Sequence, residues 1–232
     1  MNTTTLMNKT QPIRWQLLDD AQAVADEACQ RILALSKQAI DKQGYFRIVL
    51  AGGNTPKQTY RLLKEADTDW TQWHIYYGDE RCLAENDSER NSVMASRAWL
   101  DHVTIPSAQI HTIPAHLGVK EAAHRYTDTL KKALPFDMVL LGIGEDGHTA
   151  SLFPGHCHPE DELVHAVFNA PKPPPERVTL SVAALSNTRD LLVLVTGANK
   201  RDAVAAWKRG ENLPIAQIRP TVVSVLSDQL FQ

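Results

Sequence analysis

Near-continuous apolar runs alternate with segments of helical periodicity along this chain, and that alternation restricts its fold more than any other feature. "YFRIVLA" (Tyr45 to Ala51), "WHIYYGDE", "FDMVLLG" (from Phe136), "LLVLVTG" and "TVVSVLS" read as buried strands, rich in β-branched and aromatic residues. Ile13 to Leu18 and "RVTLSVAAL" read as two more. Between strands, Val24, Ala28, Ile32, Leu35 and Ala39 keep helical spacing after Asp20, and Gly44 follows as a stop signal. "KQTYRLLKEA" reads as a helix with Thr55 as N-cap and Pro56 in its first turn. "SERNSVMASRAWLDH", "GVKEAAHRYTDTLKKAL" and "ANKRDAVAAWKRG" are helices by the same reading. Strands apolar on both sides and separated by helices imply a mainly parallel open α/β sheet with helices on both faces. There is no internal repeat, and 232 residues suit one domain spanning residues 1–232.

Charge and cysteine content narrow the function. A net charge of −3 gives no general attraction to nucleic acid or to an anionic membrane, so an anionic ligand needs locally gathered cations. Cys29, Cys82 and Cys157 are scattered and odd in number, which suits a reducing cytoplasm better than a disulfide framework. The start, "MNTTTLMNKTQPIRW", has no apolar core of signal-peptide length, and no later run is long enough to span a bilayer. The expectation is a soluble cytoplasmic protein. Its oligomeric state is not readable, and a monomer is the default.

In open parallel sheets, ligands bind beyond the carboxyl ends of the strands. Those ends carry "AGGNTP", "YGDER", "GIGEDGHT" and "TGANK". In the first, Gly52 and Gly53 permit a sharp turn and close approach of a ligand, and the helix start that follows offers free N–H groups to an anion. With Asn54 and Thr55 the segment reads either as a phosphate cradle or as a tight turn with an ordinary cap. Lys200 and Arg177 are each a solvated surface charge when taken alone; together with "GGNTP" they read as a phosphate pocket. Asp79, Glu80 and Arg81 follow a strand directly. Arg81 is placed to steady an anion, whereas Glu80 fits a salt-bridged loop better.

Gly142-x-Gly144-x-x-Gly147 formally matches a dinucleotide fingerprint, but Pro154, Gly155 and Pro159 deny the long helix that such a site needs. The glycines instead expose His148, with Asp146 two residues before it. A neutral imidazole can take a proton from water and return it near neutral pH. "HCHP" (His156 to Pro159) has the look of metal ligands but lacks partners, and no Gly-x-Ser-x-Gly elbow is present. "APKPPPE" (Ala170 to Glu176) reads as a stiff extended loop.

"AGGNTPKQTYRLL", "YGDERCLAENDSERN", "FDMVLLGIGEDGHTASLFPG", "RVTLS" and "VTGANKRDAV" resemble, in this order, the blocks of the 6-phosphogluconolactonase family. The resemblance covers about Ile48 to Val204. It implies a Rossmann-like fold of the glucosamine-6-phosphate deaminase and ribose-5-phosphate isomerase type. It also implies hydrolysis of a sugar-phosphate lactone, 6-phospho-D-glucono-1,5-lactone, in the oxidative pentose phosphate pathway without a metal or other cofactor. By resemblance His148 is the general base, Arg81 touches the substrate, and "GGNT", Arg177 and Lys200 hold the phosphate; Asp146 orients the imidazole or a sugar hydroxyl, and Asp79 belongs to the substrate site. Two positions depart from the family: Ala51 stands where serine is common, and Leu83-Ala84 replace Val-Pro. The related deaminase block resembles Asp-Gly-His-Ile-Ala-Phe-Asn-Glu-Pro. Phe153 holds the place of its glutamate and has no proton to give, which favours the lactonase over a deaminase. A non-catalytic sugar-phosphate sensor is the remaining alternative, and His148 argues against it.

Overall fold

A computed structural model describes residues 13–159 and 161–231; residues 1–12, which were read for a leader, and Glu160 lie outside them. The strands are β1 (Arg14–Leu17), β2 (Phe46–Leu50), β3 (Trp73–Tyr77), β4 (Asp79–Arg81), β5 (Phe136–Gly142), β6 (Val164–Val167), β7 (Arg177–Leu180), β8 (Thr188–Val195) and β9 (Val222–Ser227). The helices are α1 (Ala21–Gln43), α2 (Asn54–Leu63), α3 (Asn91–Ala98), α4 (Val119–Lys131), α5 (Val182–Ser186), α6 (Arg201–Lys208) and α7 (Pro214–Gln217), joined by short 3₁₀ turns.

Six strands form an all-parallel sheet in the order β1-β9-β8-β5-β2-β3. The chain steps from β2 outward to β3, then crosses back to β5 on the other side of β2. Right-handed crossovers running in opposite directions lay their helices on opposite faces, so the two-sided cover expected from the apolar strands follows from the strand order. α1 and α2 pack against each other, as that rule requires for helices on one face. The reversal between β2 and β5 is the switch point at which such sheets open a crevice. Trp70, Trp73 and Trp99 pack together at 4.8–5.7 Å between ring centroids, as core residues.

Three features differ from the sequence reading. "WHIYYGDE" is two strands, because the chain leaves the parallel sheet at Gly78, whose N–H bonds Leu50 O while its own carbonyl accepts from Leu180 N–H. β4 then joins an antiparallel sheet, β4-β7-β6, that the alternation pattern does not predict. "RVTLSVAAL" is a strand only as far as Leu180. Ser181 Oγ accepts from Ala184 N–H at 3.0 Å, caps α5 and turns the chain into a helix. Lastly, Gly53 at φ 109° is the N-cap of α2, not Thr55. The Thr55 hydroxyl instead meets the Thr196 hydroxyl at 2.6 Å and ties β2's loop to that of β8.

Candidate active site

The carboxyl ends of β8, β5, β2 and β3 are neighbours in the sheet, and a cleft of about 520 Å³ opens over them. Every candidate site residue but Asp146 lines it: Gly52, Gly53, Asn54 and Thr55 after β2, Asp79 and Arg81 on β4, His148 after β5, Arg177 on β7 and Lys200 after β8. Asp146 reaches the same place through its contact with His148.

The loop after β5 folds back so that Gly144 N–H donates to His148 O at 2.7 Å. This lays the Asp146–His148 pair directly over Gly144, where a Cβ would stand 2.1 Å from His148 Nδ1 and 2.4 Å from Asp146 Oδ1. Only glycine leaves room for the pair. His148 Nδ1 lies 2.5 Å from Asp146 Oδ1, and the two side chains are 22% and 33% exposed. Partial burial works to raise the Asp146 carboxyl, but the His148 hydrogen bond and the nearby charges of His148 and Lys172 outweigh it and hold the acid below its ordinary value. The carboxylate is an acceptor only, so in the neutral form of the imidazole Nδ1 carries the proton and Nε2 presents its lone pair. Phe153 packs against the imidazole at 5.0 Å between ring centroids and is 1% exposed. It is a buried packing residue beside His148, at the position where the deaminase block has its acid.

On the opposite wall, Asp79 is fixed by Ser151 Oγ (2.6 Å) and Asn91 Nδ2 (2.9 Å). Asn91 also sits over Gly52, where a Cβ would meet its Oδ1 at 2.1 Å. The first N–H groups of α2 are open to the cleft side, since the first intrahelical bond is Lys57 N–H to Gly53 O and Pro56 has no N–H. Arg81 and Arg177 are directly paired across β4 and β7. Like charges so placed repel, and they are tolerated where an anion can come between them. Arg177 spends Nε and Nη2 on the carbonyls of Pro174, Pro173 and Lys172 (2.9–3.1 Å), which leaves Nη1 for the cleft. Arg81 Nη1 donates to Glu89 O at 2.6 Å. Lys200 has no side-chain partner among the described residues, and burial holds its ammonium below the ordinary lysine value, with Glu145 acting in the opposite sense. Glu80 is the buried salt-bridged acid that its sequence context suggests.

Sequence reasoning missed Asn91, Ser151 and Lys172. Lys172, on the proline-rich loop, lies 3.6 Å from Asp146 and 3.4 Å from Glu145. Its only sequence signal is the stiffness of the loop that holds it. Among the described residues no group of three His, Cys, Asp or Glu side chains is arranged to hold a metal, and no helix is long and apolar enough to cross a membrane.

A family model described as Glucosamine-6-phosphate isomerases/6-phosphogluconolactonase matches residues 19–227. A 6-phosphogluconolactonase of Mycobacterium tuberculosis is 37% identical over 207 residues, covering 82% of this chain and 84% of the relative. The chloroplastic 6-phosphogluconolactonase 3 of Arabidopsis thaliana is 30% identical, covering 92% and 72%. The crystal structure of 6-phosphogluconolactonase from Thermotoga maritima superposes with a TM-score of 0.87 at 27% identity, covering 93% of this chain and 99% of that one. A monomeric glucosamine-6-phosphate deaminase also superposes, with a TM-score of 0.81 over 94% of this chain and 98% of its own, but at 19% identity it shares the fold alone. With a family model matched over residues 19–227 and a relative 37% identical over most of both chains, the chain belongs to the glucosamine-6-phosphate isomerase/6-phosphogluconolactonase family.

Proposed function

We propose that this protein hydrolyses 6-phospho-D-glucono-1,5-lactone to 6-phospho-D-gluconate, the lactone-opening step of the oxidative pentose phosphate pathway, in the cytoplasm. The observation that carries the reading is the Asp146–His148 pair, whose Nε2 lone pair is available in a cleft rimmed by Arg81, Arg177 and Lys200. A lactone is already an activated ester and needs no covalent nucleophile. His148 Nε2 takes a proton from water as the water oxygen attacks C1, and Arg81 steadies the oxyanion that forms. Collapse of the tetrahedral intermediate breaks the bond from C1 to the ring oxygen, and the imidazolium returns its proton to that oxygen. The open N–H groups of Asn54 and Thr55, with Lys200 and Arg177 Nη1, bind the 6-phosphate, and this remote binding holds C1 over the base. Phe153 supports the lactonase reading over deamination, because the buried aromatic supplies no second acid beside the imidazole.

The test is turnover of freshly made lactone, corrected for spontaneous opening, beside ammonia release from glucosamine-6-phosphate. Wild type should open the lactone and release no ammonia. His148→Asn should keep its melting temperature while kcat/KM falls by roughly 10²–10⁴-fold. Ammonia release at a useful rate, or wild-type turnover by the variant, would overturn the assignment.

A further inference from the structure

Lys172 lines the same cleft as the candidate phosphate ligands and His148, and the structure seats it with care. Arg177 Nη2 donates to the Lys172 carbonyl at 3.1 Å and to that of Pro173 at 2.9 Å, while its Nε donates to Pro174 O at 3.1 Å. One buried guanidinium thus fixes three consecutive carbonyls of the proline loop. From that strut the Lys172 ammonium reaches Asp146 Oδ1 at 3.6 Å and Glu145 Oε1 at 3.4 Å. The other oxygen of Glu145 accepts from Asn199 Nδ2 at 3.3 Å, one residue before Lys200. Three strand-end loops therefore meet at Lys172, and its charge falls on the same Asp146 oxygen that holds His148 Nδ1.

We propose that Lys172 is a positioning residue that acts through Asp146: by offsetting the carboxylate's charge it keeps the His148 imidazole in the unprotonated form that a base requires. An imidazole beside a bare carboxylate is drawn toward its cationic form, whereas one beside a carboxylate already shared with an ammonium is drawn less. The other charged groups around the pair are Glu145 on the same loop, Lys200 beyond β8, Asp79 and Arg81 on β4, and Arg177 on β7; His156 lies across Phe153. Of these, Lys172 is the cation in direct contact with Asp146.

The activity arm rests on the lactonase reading, so a second arm is independent of it. In Lys172→Met, the acid limb of the kcat/KM profile should move up by about 0.5–1 pH unit, so that kcat/KM falls roughly three- to tenfold on that limb and recovers at higher pH. KM for the phosphorylated lactone should be little changed, and Lys172→Arg should restore most of the wild-type profile. Titration of the His148 ring followed by NMR should shift in the same sense, whatever the substrate is. An unmoved ring titration would overturn the proposal. So would a loss confined to KM and to phosphorylated substrate, which would make Lys172 a phosphate ligand. A shifted ring titration in a protein that opens no lactone would uphold the electrostatic role and refute the assigned reaction.

Discussion

Glu80 and Asp146 make an instructive pair. Each is an acid just beyond the carboxyl end of a parallel strand, in "GDER" and "GEDGH", yet the structure uses them in opposite ways. Glu80 is fully buried and accepts four hydrogen bonds, from the N–H groups of Arg81, Asn91 and Ser92 and from Ser92 Oγ, at 2.6–2.9 Å. The buried Arg90 guanidinium lies 3.4 Å away as its counter-ion. Every lone pair of Glu80 is committed to holding the start of α3 against β4. Asp146 is one-third exposed and spends its Oδ1 on a histidine whose other nitrogen stays available. Saturation with donors makes an acid architectural, while sharing one oxygen between an ammonium and a histidine with a free far side leaves it suited to chemistry.

The comparison breaks most visibly at Glu80. Glu80→Ala would strand Arg90 without its counter-ion and leave three N–H groups and the Ser92 hydroxyl without this acceptor. Removing one partner of a buried pair costs about 3–5 kcal/mol, which for a chain of this size lowers Tm by about 6–20 °C. Calorimetry should show that loss, while turnover per folded molecule, assayed well below the transition, changes far less than Tm suggests. A variant that keeps its Tm would mean that Glu80 is not the anchor of α3.

The reverse experiment disturbs chemistry and spares the fold. Gly144→Ala puts a methyl group 2.1 Å from His148 Nδ1, and the atoms it meets are the ends of side chains that can swing away. The fold should survive, with Tm within about 2–4 °C of wild type. The imidazole, however, must leave its place, and a displacement of about 1 Å in a reacting group costs on the order of 10² in rate. Normal turnover with a shifted pair in the variant's crystal structure would show that the geometry over Gly144 is not needed.

How far such roles can be read in advance depends on the range of the interactions that decide them. The parallel sheet was legible because β2, β5 and β8 carry apolar periodicity within themselves, and the site because each loop sits at the end of such a strand. The antiparallel sheet was not. β4 and β6 have three and four residues, too few to show a period, and β7, though legible as a strand, carries no mark of its antiparallel pairing. Thr55 is a preferred N-cap by type, but a partner 141 residues away claims its hydroxyl. Lys172 contacts Glu145 across 27 positions through a loop whose course is set by Arg177, so nothing local marks it. Glu80 was legible as a salt-bridged acid but its partner was not, since Arg90 lies ten residues on, whereas His148 stands two residues from Asp146.

The smallest effect expected tests the chemical acid on the ground where Glu80 is strongest, namely stability. The Asp146 carboxyl is held below its ordinary value: burial opposes this, but His148 and Lys172 prevail. A depressed folded-state pKa contributes stability that is present above the unfolded value of about 3.9 and is lost as pH falls through the folded one. The contribution must be discounted for solvent, since one-third of the side chain is exposed, and such pairs are worth about 0–1 kcal/mol. Asp146→Asn should therefore melt no more than about 2–4 °C below wild type at neutral pH. That gap should persist down to about pH 4 and close at lower pH, as wild type protonates the same carboxylate. Melting curves collected across this range decide it. A gap as large as that of Glu80→Ala, or one that widens in acid, would place Asp146 among the structural acids and erase the contrast between the two.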